Sequence, residues 1–385
     1  MIFILPLICM RSTVLLLILT LTLACLPLVA QEKTAKVSIF RDSVDHALDI
    51  SDWLIDMKGV LVIPTLITEP AVGYGLAAAA VFFHSSYSEK NGPPSMSGML
   101  GGYTQNGTWM AGLFHIGYWK QDRLRYMGAL ARTNANLSFY GAGYTSILES
   151  EPVNLNMDAW LLLQQLKGRI GGSHFFMGGR YLLLSTDNTF EVPIDNPEFS
   201  GKEISSTLSE ATLIINYDSR NNVFSALNGF YVDLSGTYSD TWFGGDALYA
   251  RVALEALGYF PATSRLMVGL RYSSNYTFGD VPFYARPMIR MRGVPLMKYQ
   301  NRNTLLIETE VSYAVAKRWN VLGFTGIGTA YESVSDFDKG RSVRTWGTGV
   351  RYLIARKLGA KMGVDLAASQ DDFAFYIIFG SAWLR

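Results

Sequence analysis

Residues 286–303, RPMIRMRGVPLMKYQNRN, carry Arg286, Arg290, Arg292, Arg302 and Lys298 without a single acid, in a chain whose net charge is only +1. A guanidinium pairs with a carboxylate through two parallel hydrogen bonds, so such a segment calls for acids elsewhere in the fold. They lie just downstream. In NTLLIETEVSY (303–313), Leu306, Glu308, Glu310 and Ser312 alternate with Ile307, Val311 and Tyr313, which puts two carboxylates on one face of a strand. Gly293 allows the backbone next to Arg292 a close approach or a positive φ. A loop folded back on this strand would therefore bring Arg292 to Glu310 or Glu308. The plainer alternative is a solvated loop, or one that binds anionic lipopolysaccharide.

Other chemistry has little support. Both cysteines, Cys9 and Cys25, fall in the apolar N-terminal stretch, so a mature chain lacking that stretch has no disulfide, thiol or Cys-type zinc chemistry. His46, His84, His115 and His174 are scattered singly, without metal-ligand spacing. No metal or other cofactor is expected. A net charge of +1 offers no broad basic field, which argues against nucleic acid as a partner.

The elements that must position the arginines read as strands. In DALYARVALEALGYF, Leu248, Ala250, Val252, Leu254, Ala256, Gly258 and Phe260 alternate with Tyr249, Arg251, Glu255 and Tyr259. GFYVDLSGTYS alternates in the same way. Such segments run to about 10–15 residues, longer than soluble strands, and aromatic residues sit near their ends. An open sheet in lipid would leave edge groups unpaired at several kcal/mol each, so the spanning solution is a closed barrel. The pattern predicts an all-β fold, a transmembrane antiparallel β-barrel of about 16 strands over residues 60–385. Short turns such as 260–264 alternate with long connections such as 187–206 and 279–302.

Ahead of the barrel, MRSTVLLLILTLTLACLPLVAQE reads as a secretory signal over residues 1–30, its apolar core shorter than the roughly 20 residues that span a bilayer. Residues 31–59 hold a short helix, DISDWLIDMKG, with Ser51 as N-cap and Asp52 in the first turn. At the other end, Phe373, Phe375, Ile377, Phe379 and Trp383 alternate as a lipid-facing last strand.

Taken in order along the chain, these pieces resemble the Omp85 family, the surface-antigen barrels that include BamA and TamA. The resemblance implies that Arg292-Gly293 is the family's Arg-Gly motif on an outer loop that enters the barrel, with Glu310 as its strand acid. YDSRNNVFSALNGFYVDLSG resembles a family strand pair through Asp218, Arg220 and Gly229, and WGTGVRYLIARKLGAKMGVDLA a penultimate hairpin through Gly347, Gly349, Arg351 and Asp365. FTGIG keeps Phe324 and Gly328 of a further motif but has Gly326 where the family has Asp, which implies that Glu308 or Glu310 holds Arg292 alone. Val294 replaces the usual aromatic after Arg-Gly. The family's periplasmic POTRA modules would not fit in residues 31–59.

Three function classes follow. The first is an assembly or translocation factor of the outer membrane, with unfolded outer-membrane proteins, lipid and lipopolysaccharide as partners. The second is a passive pore or structural barrel. The third, a barrel enzyme, ranks last because no nucleophile motif surrounds any histidine, and no enzymatic activity is expected.

Overall fold

The structure is a computed structural model that describes residues 40–56, 59–84, 94–141, 152–191 and 203–383. The expected signal, residues 1–30, lies outside the described residues. Sixteen strands form one antiparallel sheet, each paired with the next in sequence. They are β1 (Gly59–Ile67), β2 (Gly75–Phe83), β3 (Met96–Thr104), β4 (Trp109–Trp119), β5 (Leu124–Phe139), β6 (Val153–Arg169), β7 (Phe175–Glu191) and β8 (Glu203–Asp218). Then come β9 (Gly229–Ser239), β10 (Tyr249–Pro261), β11 (Leu266–Gly279), β12 (Asn303–Ala314), β13 (Trp319–Tyr331), β14 (Arg341–Ala355), β15 (Ala360–Ala368) and β16 (Phe373–Phe379). The two-residue period sorts side chains as expected. Leu113, Trp160, Leu213, Ile307 and Val350 are exposed on the outer face, while Asn188, Asn216, Glu308, Arg351 and Asp365 are buried on the inner one. The barrel is thus lined with polar groups and jacketed with apolar ones, the arrangement that hydrocarbon solvent requires.

Short turns at 120–123, 262–265, 315–318 and 356–359 share one end with residue 59 and residue 379. The long 280–302 connection leaves from the opposite end. Among the described residues no pairing joins β1 to β16, and a cleft of about 330 Å³ between Leu66–Glu69 and Tyr376–Phe379 marks the seam.

The last strand departs from expectation. It stops at Phe379, and Gly380, at φ +79°, turns the chain while its N–H bonds Lys361 O at 2.7 Å. Trp383 then packs against the lumenal Tyr259 and over Gly269, so it does not face lipid. The connection 219–228 also crosses the short-turn mouth: Asn222 Nδ2 reaches Leu358 O at 2.7 Å, and Phe224 lies beside Phe379.

The helix expected after Asp49 forms as α1 (Ser51–Asp56). Ser51 Oγ accepts the Lys357 backbone N–H at 3.0 Å, so the hydroxyl expected as a cap ties the helix to the β14–β15 turn. Just upstream, Arg318 in the β12–β13 turn receives three carboxylates, Asp42 at 2.6, Asp45 at 2.6 and Asp49 at 2.7 Å. Arg356 grips Asp42 as well, and Lys357 pairs with Asp52. The segment entering β1 is therefore fastened to turns on the far side of the seam.

Hydrogen bonds from Arg356 hold Asp42 well below the usual carboxylate range, and those from Arg318 do the same for Asp45. For Asp49, burial pushes the other way and is overcome by Ser51 and Arg318. Depressed acids contribute stability above their unfolded pKa and lose it as pH falls through the folded one, so this clasp loosens below about pH 4. Arg318→Ala should expose residues 42–52 to protease and to amide exchange at neutral pH. Wild type should behave that way only in acid. Equal protection of the variant and wild type at neutral pH would refute the clasp.

Candidate functional site: the lumenal Arg292 cluster

The 280–302 connection folds back into the lumen as a narrow hairpin. Met288 bridges Gln300, and Ile289 N–H bonds Tyr299 O at 2.8 Å. Ile289, Met291, Val294 and Tyr299 pack on Leu306, Ala330 and Val343 of the wall. Small wall residues make the room: a Cβ on Gly328 would lie 2.7 Å from Ile289, and one on Gly326 would lie 2.7 Å from Glu308 Cγ and 3.0 Å from Met291 Sδ. Gly293, at φ +84°, presses against the backbone of Ala368 and donates its N–H to Tyr376 Oη at 3.0 Å.

This places Arg292, 1% exposed, at the centre of an ionic cluster. Its Nη1 lies 2.7 Å from Asp365 Oδ2 and 2.9 Å from Glu310 Oε2. The guanidinium stacks 3.5 Å above the Phe324 ring centroid, a desolvated cation–π contact. Phe324 can lie there because its cross-strand partner is Gly347; a Cβ on that residue would fall 2.2 Å from the ring. Gly349 makes the same allowance for Asp365, at 2.0 Å. Arg351 closes the cluster from below, with Nη1 2.5 Å from Asp365 Oδ1 and Nη2 2.9 Å from Oδ2. One fully buried carboxylate is thus shared by two guanidinium groups, which offsets a desolvation cost of several kcal/mol per ion.

Arg292, Gly293, Glu310, Phe324, Gly347, Gly349, Arg351 and Asp365 therefore come together, and Gly328 shapes their support. Glu308 does not hold Arg292. It pairs with Arg271 at 2.6 Å, and Arg271 also takes Glu255 at 2.6 Å and donates to Arg290 O at 2.9 Å. The physical reason is register: Glu308 stands opposite Arg271, whereas Glu310 stands opposite Gly269 and leaves its carboxylate to the loop. Nor does Glu310 act alone, because Asp365 supplies the second acid that Gly326 cannot. The sequence signal for it was the Gly349, Arg351 and Asp365 hairpin itself. Val294 is buried in spite of its small size, with Tyr299 as the aromatic of that cluster.

Asp218, Arg220 and Gly229 form a separate group at the short-turn rim. Arg220 is bidentate to Asp218 at 2.9 and 3.1 Å and stacks on Tyr231. Asp218 also meets Arg125 at 3.2 Å, and a Cβ on Gly229 would strike Ser219 O at 2.3 Å.

The loop spans the seam. On the β1 side Leu296 N–H bonds Glu69 Oε1 at 3.3 Å; on the β15–β16 side Lys298 pairs with Asp372 at 2.6 Å.

Arg292→Ala leaves Asp365 to Arg351 alone and takes from Glu310 its guanidinium partner, and should cost about 3–5 kcal/mol in chemical unfolding of the refolded barrel. In double-mutant cycles, Arg292 should couple to Asp365 by about 1 kcal/mol or more and to Glu308 by a few tenths. A coupling to Glu308 as large as that to Asp365 would overturn the assignment.

Residues 169–288 match the Omp85 superfamily domain. The chain is similar to the structure of Haemophilus ducreyi BamA lacking POTRA domains 1–3, with TM-score 0.59, 14% identity, and coverage of 84% of this chain and 70% of that one. CdiB from Escherichia coli gives TM-score 0.55 at 9% identity, covering 83% and 61%. CdiB from Acinetobacter baumannii gives 0.52 at 10%, covering 83% and 59%, so this chain spans about three fifths of the CdiB chains. No curated protein sequence matches it. Residues 169–288 thus match the Omp85 superfamily domain, and the sixteen-stranded barrel shares the fold of the BamA and CdiB barrels.

Proposed function

We propose that this barrel assists insertion or translocation of other proteins at the outer membrane, reaching that membrane by way of a cleaved signal over residues 1–30, and that it works without enzymatic catalysis. The seam is the observation that carries this reading. Among the described residues each strand pairs with its sequence neighbours, whereas no pairing joins β1 to β16 across the cleft. An exposed edge is a template for another strand, and in hydrocarbon each unpaired backbone group costs several kcal/mol. An incoming amphipathic strand would relieve that cost. The Arg292 loop touches both sides of the seam, so its seating and the width of the seam are mechanically linked. Unfolded outer-membrane proteins are the proposed clients, with surrounding lipid and lipopolysaccharide as the medium.

A passive pore fits less well. The loop fills the lumen from one end, and residues 219–228 and 380–383 crowd the other.

The test is reconstitution in liposomes. The purified barrel should speed insertion of an unfolded outer-membrane protein relative to empty liposomes, and Arg292→Ala should lose most of that gain. Steady conductance without acceleration would establish the pore instead.

A further inference from the structure

His84, Ser97 and His115, distant in sequence, meet on the outside of the barrel near its short-turn end. Ser97 Oγ lies 2.7 Å from His115 Nδ1 and 2.9 Å from His84 Nε2, and the two rings are 5.4 Å apart. Their outward orientation follows from the strand period. Ser97 shares its face with exposed Met99 and Tyr103, His115 with Leu113, and His84 with Phe82. Around them stand Phe82, Trp119 and Tyr126, the last two stacked at 5.4 Å, and Tyr126 is hydrogen-bonded to Gln164. Trp and Tyr in such a belt mark the depth of lipid headgroups.

Among the described residues, the charged residues nearby are those of the β4–β5 turn. Lys120 and Arg123 are exposed, and Asp122 is committed to Arg125 and Arg169. Among the described residues neither imidazole is bonded to a carboxylate, and no group of three metal-ligating side chains occurs.

We propose that Ser97, His84 and His115 bind the phosphate of a phospholipid in the leaflet at the short-turn end, and that protonation of the two imidazoles switches this hold on. The hydrogen-bond inventory supplies the mechanism. With both rings neutral, the single serine proton is spent on one ring while the other donates to Oγ, so the trio satisfies itself. With both rings protonated, Oγ accepts from both, its own proton turns outward, and each ring offers its second N–H. Two like charges this close oppose double protonation unless an anion sits between them. Phosphate binding and proton uptake are therefore linked.

The same contacts argue against a hydrolase. Both imidazoles converge on one hydroxyl, with no acid to orient a base, and Ser97 sits within a strand whose backbone is paired on both sides.

The experiment is an NMR titration of the histidine rings of the refolded full chain in maltoside micelles, with and without dimyristoyl phosphatidylglycerol. His174, on the β6–β7 turn, reports the general surface charge. The lipid should raise the His84 and His115 midpoints by about one pH unit each beyond any change at His174, and since each such shift is worth up to about tenfold, the two together correspond to roughly thirtyfold tighter lipid retention near pH 6 than near pH 8. Native mass spectrometry should show that difference in wild type and its loss in a His84→Gln/His115→Gln variant that keeps heat-modifiable migration. Equal shifts at all three histidines, or retention independent of pH in wild type, would overturn the site. The wild-type titration stands whether or not the variant folds.

Discussion

A backbone amide in hydrocarbon has no water to turn to, and most of this molecule follows from that constraint. It forces the sheet to close on itself, forces each strand to show lipid one apolar face, and leaves polar residues nowhere to go but inward. Among the described residues β1 and β16 are not paired, and at that junction the constraint is not met by strand pairing. The molecule surrounds that junction with ties that are not strand pairing. At the loop end, the Arg292 hairpin reaches Glu69 on one side and Asp365, Asp372 and Tyr376 on the other. At the short-turn end, the acidic segment 42–52 crosses to Arg318, Arg356 and Lys357.

The two ties differ in physical character. Arg292 and Asp365 are withdrawn from water, so breaking the pair strands a charge in a confined site. The clasp on Arg318 is also shielded, but it gathers three carboxylates on one guanidinium at the end of the barrel, and it loosens as they protonate in acid. One is suited to holding a fixed geometry and the other to being released.

Small residues matter as much as charged ones. Gly326, Gly328, Gly347 and Gly349 leave the inner wall hollow where Met291, Ile289, Phe324 and Asp365 must fit. The absence of an Asp at position 326 is thus compatible with a complete cluster: the space is occupied by the loop and by Glu308, and the acid comes from β15. A side chain restored at 326 alone would collide before it could pair.

The two-residue period, the polar and apolar faces and the turn residues were legible in the sequence, because each is a local property that the solvent on either side imposes. They sufficed for an antiparallel barrel of about sixteen strands, while the meeting of Arg292 and Gly293 with an acid of β12 was an implication of the family resemblance. Which acid answers which arginine was not legible. Glu308 and Glu310 share a face and differ only in what stands opposite them in β11, Arg271 or Gly269, and that register belongs to the sheet. Asp365 reaches Arg292 across 73 residues because β12 to β15 lie side by side. The inward turn at Gly380, the three acids on Arg318 and the meeting of His84 with His115 on Ser97 are likewise decided in three dimensions. Sequence dictates which side of a strand each residue takes; the closing of the barrel dictates its neighbours.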